Sequence, residues 1–88
     1  MCTYDTVRIA ITGSAKGAES WFRATDATIS YDHPVHYGAG HALLVDVINP
    51  SLGASSRVGL ELNADSAREL ALAILRSLDS VPAGLLES

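Results

Sequence analysis

One cysteine, one methionine, one tryptophan and one phenylalanine stand among 88 residues. A single cysteine excludes an intrachain disulfide framework and makes a reducing compartment the economical expectation. Aromatic side chains make up only 6% of the chain, so a core has to be built from Ala, Val, Leu and Ile. Basic residues are also scarce: six Lys and Arg, scattered, against ten Asp and Glu. A net charge of −4 denies the chain the basic face that nucleic-acid binding needs. No apolar run approaches the ~20 residues of a membrane span. Met1-Cys2-Thr3-Tyr4-Asp5 has neither the basic nor the apolar part of a signal peptide. The expectation is a cytoplasmic protein that contacts neither nucleic acid nor membrane.

What is present is hydrophobic: 48% of the residues, enough for a core and too many for a disordered chain. The length suits one domain over residues 1–88, with a short N-terminal segment at 1–4 and a loose tail at 80–88. Domains this small often gain stability from a metal or a second subunit.

Residues 6–12 alternate with period two, Val7, Ile9 and Ile11 on one face and Arg8, Ala10 and Thr12 on the other, which predicts a half-buried strand. Gly13-Ser14-Ala15-Lys16-Gly17 then reads as a loop. Its functional meaning would be an anion site with Lys16 as the cation, but the spacing does not match a phosphate loop. Residues 21–31 form the next extended run, with Ala27, Ile29 and Tyr31 on one face. Trp21 and Phe22 at its start suit either a ligand pocket or core plugs. Ala42 to Ile48 is apolar on both faces apart from Asp46, and Val58, Leu60 and Leu62 alternate inward in a fourth strand.

Asn63 is a suitable N-cap, and Ala67, Leu70, Ala71, Ile74, Leu75 and Leu78 recur at helical spacing behind it. The predicted fold is α+β: a four-stranded antiparallel β meander with one C-terminal α-helix packed on one face (ββββα). One helix cannot cover both faces of four strands. Leu44 and Ile48 would mark the uncovered side, so a homodimer is expected.

All three histidines fall in Tyr31-Asp32-His33-Pro34-Val35-His36-Tyr37-Gly38-Ala39-Gly40-His41. Two strands flanking a loop of this length bring His33 and His41 to the stems of one hairpin, with His36 between them. Pro34 biases His33 towards extended backbone, and Gly38 and Gly40 let the loop turn back. Three imidazoles suit Zn, Fe, Ni or Cu, and three protein ligands with an open position are the pattern of a catalytic metal. Asp32 alternates away from His33 and is better placed to orient a ligand or act as a base than to bind the metal. Tyr31 and Tyr37 could supply a proton or bind an oxyanion. Against this, histidine beside Pro and Gly is ordinary turn composition. Cys2 reads either as an inert residue at a chain end or as a thiolate ligand.

Several of these features recur together. Met1-Cys2-Thr3-Tyr4, Gly13-Ser14-Ala15-Lys16-Gly17, Trp21-Phe22, Asp32-His33-Pro34-Val35-His36, His41, Asn49-Pro50 and the helix start Ser66-Ala67-Arg68 resemble a family of short actinobacterial proteins of unknown function. The likeness spans nearly the whole chain, and the opening tetrapeptide and the Asp-His-Pro-Val-His motif are its specific parts. That family often has Ala-Pro-Ala-Glu between the second and third histidines, where this chain has Tyr37-Gly38-Ala39-Gly40. A carboxylate beside the third histidine is therefore missing. The resemblance implies no activity, but it implies that Cys2, His33, His36 and His41 share a site.

Three expectations follow. The first is a small metal-binding homodimer in which His33, His36 and His41 hold a divalent transition metal, with Cys2 as fourth ligand. An open fourth position would allow Lewis-acid or O2-dependent chemistry on a small organic substrate near Tyr31, Tyr37 and Lys16; a position filled by Cys2 would make the site structural. The second is a metal-free enzyme or binder, cyclase- or isomerase-like, with His33, His36 and Asp32 as acid–base groups and Trp21 and Phe22 lining a pocket. The third is a dimeric interaction module whose histidines are merely solvated.

Overall fold

The structure, a computed structural model, describes residues 6–87. Four strands, β1 (Val7–Lys16), β2 (Trp21–Asp32), β3 (Ala42–Ile48) and β4 (Arg57–Leu62), precede one helix, α1 (Ala64–Asp79). The strands form one sheet in the order β1-β2-β3-β4, every neighbour antiparallel. The ββββα meander is therefore the fold, as the periodicities predict.

The first hairpin departs from the expectation. Gly13 to Lys16 belong to β1 and pair with β2, Gly13 opposite Ala24 and Lys16 opposite Trp21. β2 is twelve residues long, and its first half would leave a row of backbone groups unpaired without this extension. The register shifts between Ala10 and Gly13, where β1 carries one extra residue as a bulge. Only a tight turn remains, closed by the Gly17 N–H donating to the Ser20 carbonyl at 3.0 Å. A Cβ on Gly17 would press within 3.3 Å of the Phe22 ring, so the absence of a side chain lets that ring settle into the core.

The registers sort the sheet into two faces. Rows such as Val7–Ile29–Val45–Leu60 and Ile9–Ala27–Val47–Val58 make one face apolar. The other carries charge: Arg8 pairs with Asp26 at 3.2 Å, and Arg57 with Asp46 at 2.8 Å. Gly59 belongs to this arrangement, since a Cβ there would lie 3.1 Å from Asp46 Oδ1. Leu44 and Ile48 sit half-buried on the charged face, opposite the side on which Ala64 and Arg68 of the helix border Tyr31 and Leu43.

The turn from β3 to β4 is held by Asn49, a buried polar residue. Its Nδ2 donates to the Arg23 carbonyl at 2.9 Å, and its Oδ1 accepts the Ser51 N–H at 3.1 Å. Gly53 closes the following 3-10 turn at φ 94°, a conformation that favours glycine.

α1 begins as the sequence predicts, with Asn63 Oδ1 accepting the Ser66 N–H at 2.8 Å and Asp65 in the positive first turn. Its placement differs from the expectation. No residue of α1 is buried, and Leu70, Ile74, Leu75 and Leu78 of the apolar stripe stay exposed. The cause lies in the connection: Asn63 alone separates β4 from α1. Strand-to-helix loops that fold a helix back on its sheet usually need two or more residues. α1 instead meets the sheet through its first turns, where Ala64 and Arg68 border Tyr31 and Leu43.

Candidate functional site

β2 and β3 close at the pair Asp32–Ala42, and residues 33–41 form the loop beyond it. His33 and His41 leave that last pair from opposite strands, and their ring centroids lie 4.5 Å apart. Tyr31, one row back, stacks on His41 with ring centroids 5.9 Å apart and an interplanar angle of 11°. Asp32 turns towards His33: its Oδ1 accepts the His33 backbone N–H at 2.7 Å and lies 3.0 Å from the ring Nδ1. These two contacts, the backbone N–H first, hold the Asp32 carboxyl below the usual aspartate range. An ionised carboxylate only accepts, so this contact favours the ring with its proton on Nδ1, the tautomer that leaves the Nε2 lone pair available.

His36 stands apart from this pair. Its side chain is 90% exposed, and its Nδ1 lies 3.7 Å from Glu61 Oε2. The loop is clamped there by Glu61 on β4, a residue that sequence reasoning overlooked. The Glu61 carboxylate accepts the backbone N–H groups of Val35, His36 and Tyr37 at 2.9, 2.8 and 2.6 Å. Those bonds, led by the Val35 and Tyr37 N–H groups, push its carboxyl below the usual glutamate range. The available signal was register: Glu61 faces the charged side opposite Leu44, close to the hairpin mouth. Gly38 and Gly40 do not turn the loop through positive φ. Instead the Ala39 N–H donates to the Tyr37 carbonyl at 2.8 Å, a three-residue turn.

Two recesses flank the loop. On the charged face a groove of about 960 Å³ runs between His36 and Tyr37 on one side and Ala54 and Ser55 on the other, over Asp46, Arg57 and Glu61. On the apolar face a smaller recess of about 380 Å³ is lined by Tyr31, Leu43, Ala64 and Arg68. Tyr31 and Tyr37 therefore open onto different recesses. Lys16 and Trp21 belong to neither: they stand at the far end of β2, about 36 Å of extended strand from Asp32. The expected neighbourhood of Lys16 and the histidines is not formed within one chain. Phe22 is a core plug, and Trp21 is 65% exposed.

The structure thus brings together Tyr31, Asp32, His33 and His41 and holds His36 and Tyr37 on the other side of the loop. Among the described residues no three His, Cys, Asp or Glu side chains are gathered to hold a metal ion. Cys2, the expected thiolate, lies outside the described residues.

Fold and site define a small α+β protein with an oriented histidine pair at the mouth of its central hairpin. Over residues 1–87 the sequence matches the model described as "Family of unknown function (DUF6295)", and the chain belongs to that family. No curated protein and no solved structure matches it. Among the described residues no helix is long and apolar enough to cross a membrane.

Proposed function

We propose that the protein is a small cytoplasmic homodimer that binds a divalent transition metal, Zn, Fe, Cu or Ni, through His33 and His41. One observation carries this reading: Asp32 Oδ1 lies 3.0 Å from His33 Nδ1 while the His41 ring stands beside His33. A carboxylate behind a histidine fixes the tautomer and raises the basicity of the outward nitrogen, the usual support for a metal-bound imidazole. Two imidazoles need a further ligand, and Cys2 is the candidate by its chemistry. His36 would join only by leaving Glu61, so the site is a histidine pair before it is a histidine triad. With an open position the metal would supply Lewis-acid or O2-dependent chemistry to a small organic substrate. Tyr31 would face that substrate, with the Tyr31–Arg68 recess beside it. Elemental analysis of untagged protein tests this. About one transition metal per chain or per dimer is expected, lost in His33→Ala and His41→Ala and kept in His36→Ala. No metal in any sample, even after reconstitution, would overturn it.

A second reading draws on the same Asp32–His33 contact. An oriented imidazole is also a general base, and Tyr31, stacked on the neighbouring His41, would serve as its acid partner. In that case the protein is a metal-free small-molecule enzyme or binder. Ligand binding or turnover that survives chelation would favour it over the metal.

A further inference from the structure

We infer that two copies of this chain pair reciprocally, the α1 helix of each lying across the apolar sheet face of the other. The inference rests on the homodimer reading above and is independent of the metal. It adds which surfaces meet.

The chain carries two apolar surfaces that do not meet each other. One is the α1 stripe, where Leu70, Ile74, Leu75 and Leu78 are 43–56% exposed. The other is the sheet face, where Val7, Ile9 and Leu60 are 43–50% exposed. Between them they leave the fold only a small core. The buried hydrophobic residues are Phe22, Ala24, Ala27 and Ala42, and among the described residues no large side chain is fully buried. A sequence that is 48% hydrophobic has folded into a shape that hides little of that content.

The dimensions agree. The radius of gyration is 14.6 Å, against about 12 Å for a compact chain of this length. The accessible surface is 6695 Å², where a compact 9.2 kDa protein exposes about 4,900 Å². The excess is about 1,800 Å² per chain, or about 3,600 Å² for a pair. Obligate homodimers bury about 2,000–5,000 Å². The sixteen residues of α1 extend about 24 Å. Four strands at about 4.8 Å spacing need roughly 20 Å of cover once side chains are counted. One helix is long enough to cross the sheet.

A second copy is the occupant that removes both surfaces in one operation. A two-fold axis places each helix on the other sheet, so a single self-complementary contact covers two stripes and two faces. Any foreign partner would have to present both an apolar helix and an apolar sheet in the same relative position. The one-residue connection at Asn63 keeps α1 off its own sheet and leaves it extended for exchange. The pairing also brings the partner to the rim where Tyr31 and the Arg68 recess stand, so the histidine pair lies beside the interface.

The test is an isotope-filtered methyl NOE experiment on a mixture of labelled and unlabelled full-length chains, with sedimentation equilibrium on the same sample. Expected are a dimer at about 10 µM and NOEs between chains linking Ile74, Leu75 and Leu78 methyls to Val7, Ile9 and Leu60. Leu75→Asp should raise the dissociation constant at least about 100-fold. A monomeric wild-type protein would overturn the homodimer and the pairing together. A dimer whose helix-to-sheet NOEs are absent, or arise within one chain, would overturn the pairing alone. The wild-type NOEs decide the matter even if Leu75→Asp fails to fold.

Discussion

Removing the carboxylate behind His33 should weaken metal binding in two graded steps. Asp32 Oδ1 accepts two contacts, the His33 N–H at 2.7 Å and the ring Nδ1 at 3.0 Å. Asp32→Asn keeps the size and one acceptor but loses the charge that favours the Nδ1–H tautomer. Asp32→Ala loses both contacts and frees the ring to rotate. Carboxylates behind metal-bound histidines are typically worth 10–100-fold in affinity. Asn should therefore fall near the tenfold end and Ala near the hundredfold end. Competition against a chromophoric chelator, with zinc or cobalt at neutral pH, measures each directly. His36→Ala supplies the internal control, because its ring faces Glu61 rather than the pair, and should change affinity less than threefold. Far-UV circular dichroism checks that each variant is folded. If Asp32→Ala binds metal within twofold of wild type while His33→Ala does not bind, the orienting role is refuted. If His36→Ala loses as much as His33→Ala, the pair is the wrong ligand set.

Other perturbations probe the scaffold. Asn49→Ala removes the buried donor to the Arg23 carbonyl and the acceptor for the Ser51 N–H. It should cost about 2 kcal/mol, seen as a Tm lower by about 10 °C at fixed protein concentration; a shift under 2 °C would contradict the role given to Asn49. Glu61→Ala should release the loop, so amide exchange at Val35, His36 and Tyr37 should speed up at least tenfold while β1 and β2 amides are unchanged; unaltered exchange would show that the clamp is dispensable. Acid should act in the same direction. Asp26 is held low by the Thr25 hydroxyl and then Arg8, and Glu61 by the loop N–H groups. Carboxyls depressed in the folded state stabilise it above their unfolded values and lose that effect as pH falls through the folded ones. Stability and loop protection should therefore be flat near neutrality and decline below about pH 4. A decline beginning well above pH 4 would contradict the role given to these carboxylates. Asn63→Ala should cost about 1 kcal/mol through loss of the Ser66 N–H cap, measured by chemical denaturation; no change would mean that the cap is replaced by water.

The sequence was most legible where one periodicity acts alone. Val58, Leu60 and Leu62 alternate cleanly and all fall within β4, and α1 starts directly behind Asn63. It was least legible where pairing overrides composition. Gly13 to Lys16 looks like a loop, yet β2 needs a partner there, and no local signal reveals how far the opposite strand extends. The helix stripe was visible, but its destination was not, because that depends on a one-residue connection whose direction periodicity cannot encode. In the site, spacing brought His33 and His41 to facing stems because a hairpin leaves few alternatives. Spacing could not place His36, whose position is set by Glu61, 25 residues away. Strand alternation points Asp32 away from His33, but β2 ends at Asp32 and the carboxylate turns to the His33 N–H and ring instead.

The most direct measurement is a histidine-selective long-range 1H–15N spectrum recorded before and after one equivalent of zinc. Before zinc, His33 should show the Nδ1–H tautomer. After zinc, the His33 Nε2 and one nitrogen of His41 should move strongly while both His36 nitrogens stay in place. A His33 ring protonated on Nε2, or zinc that leaves His33 and His41 unmoved, would contradict the proposed metal site.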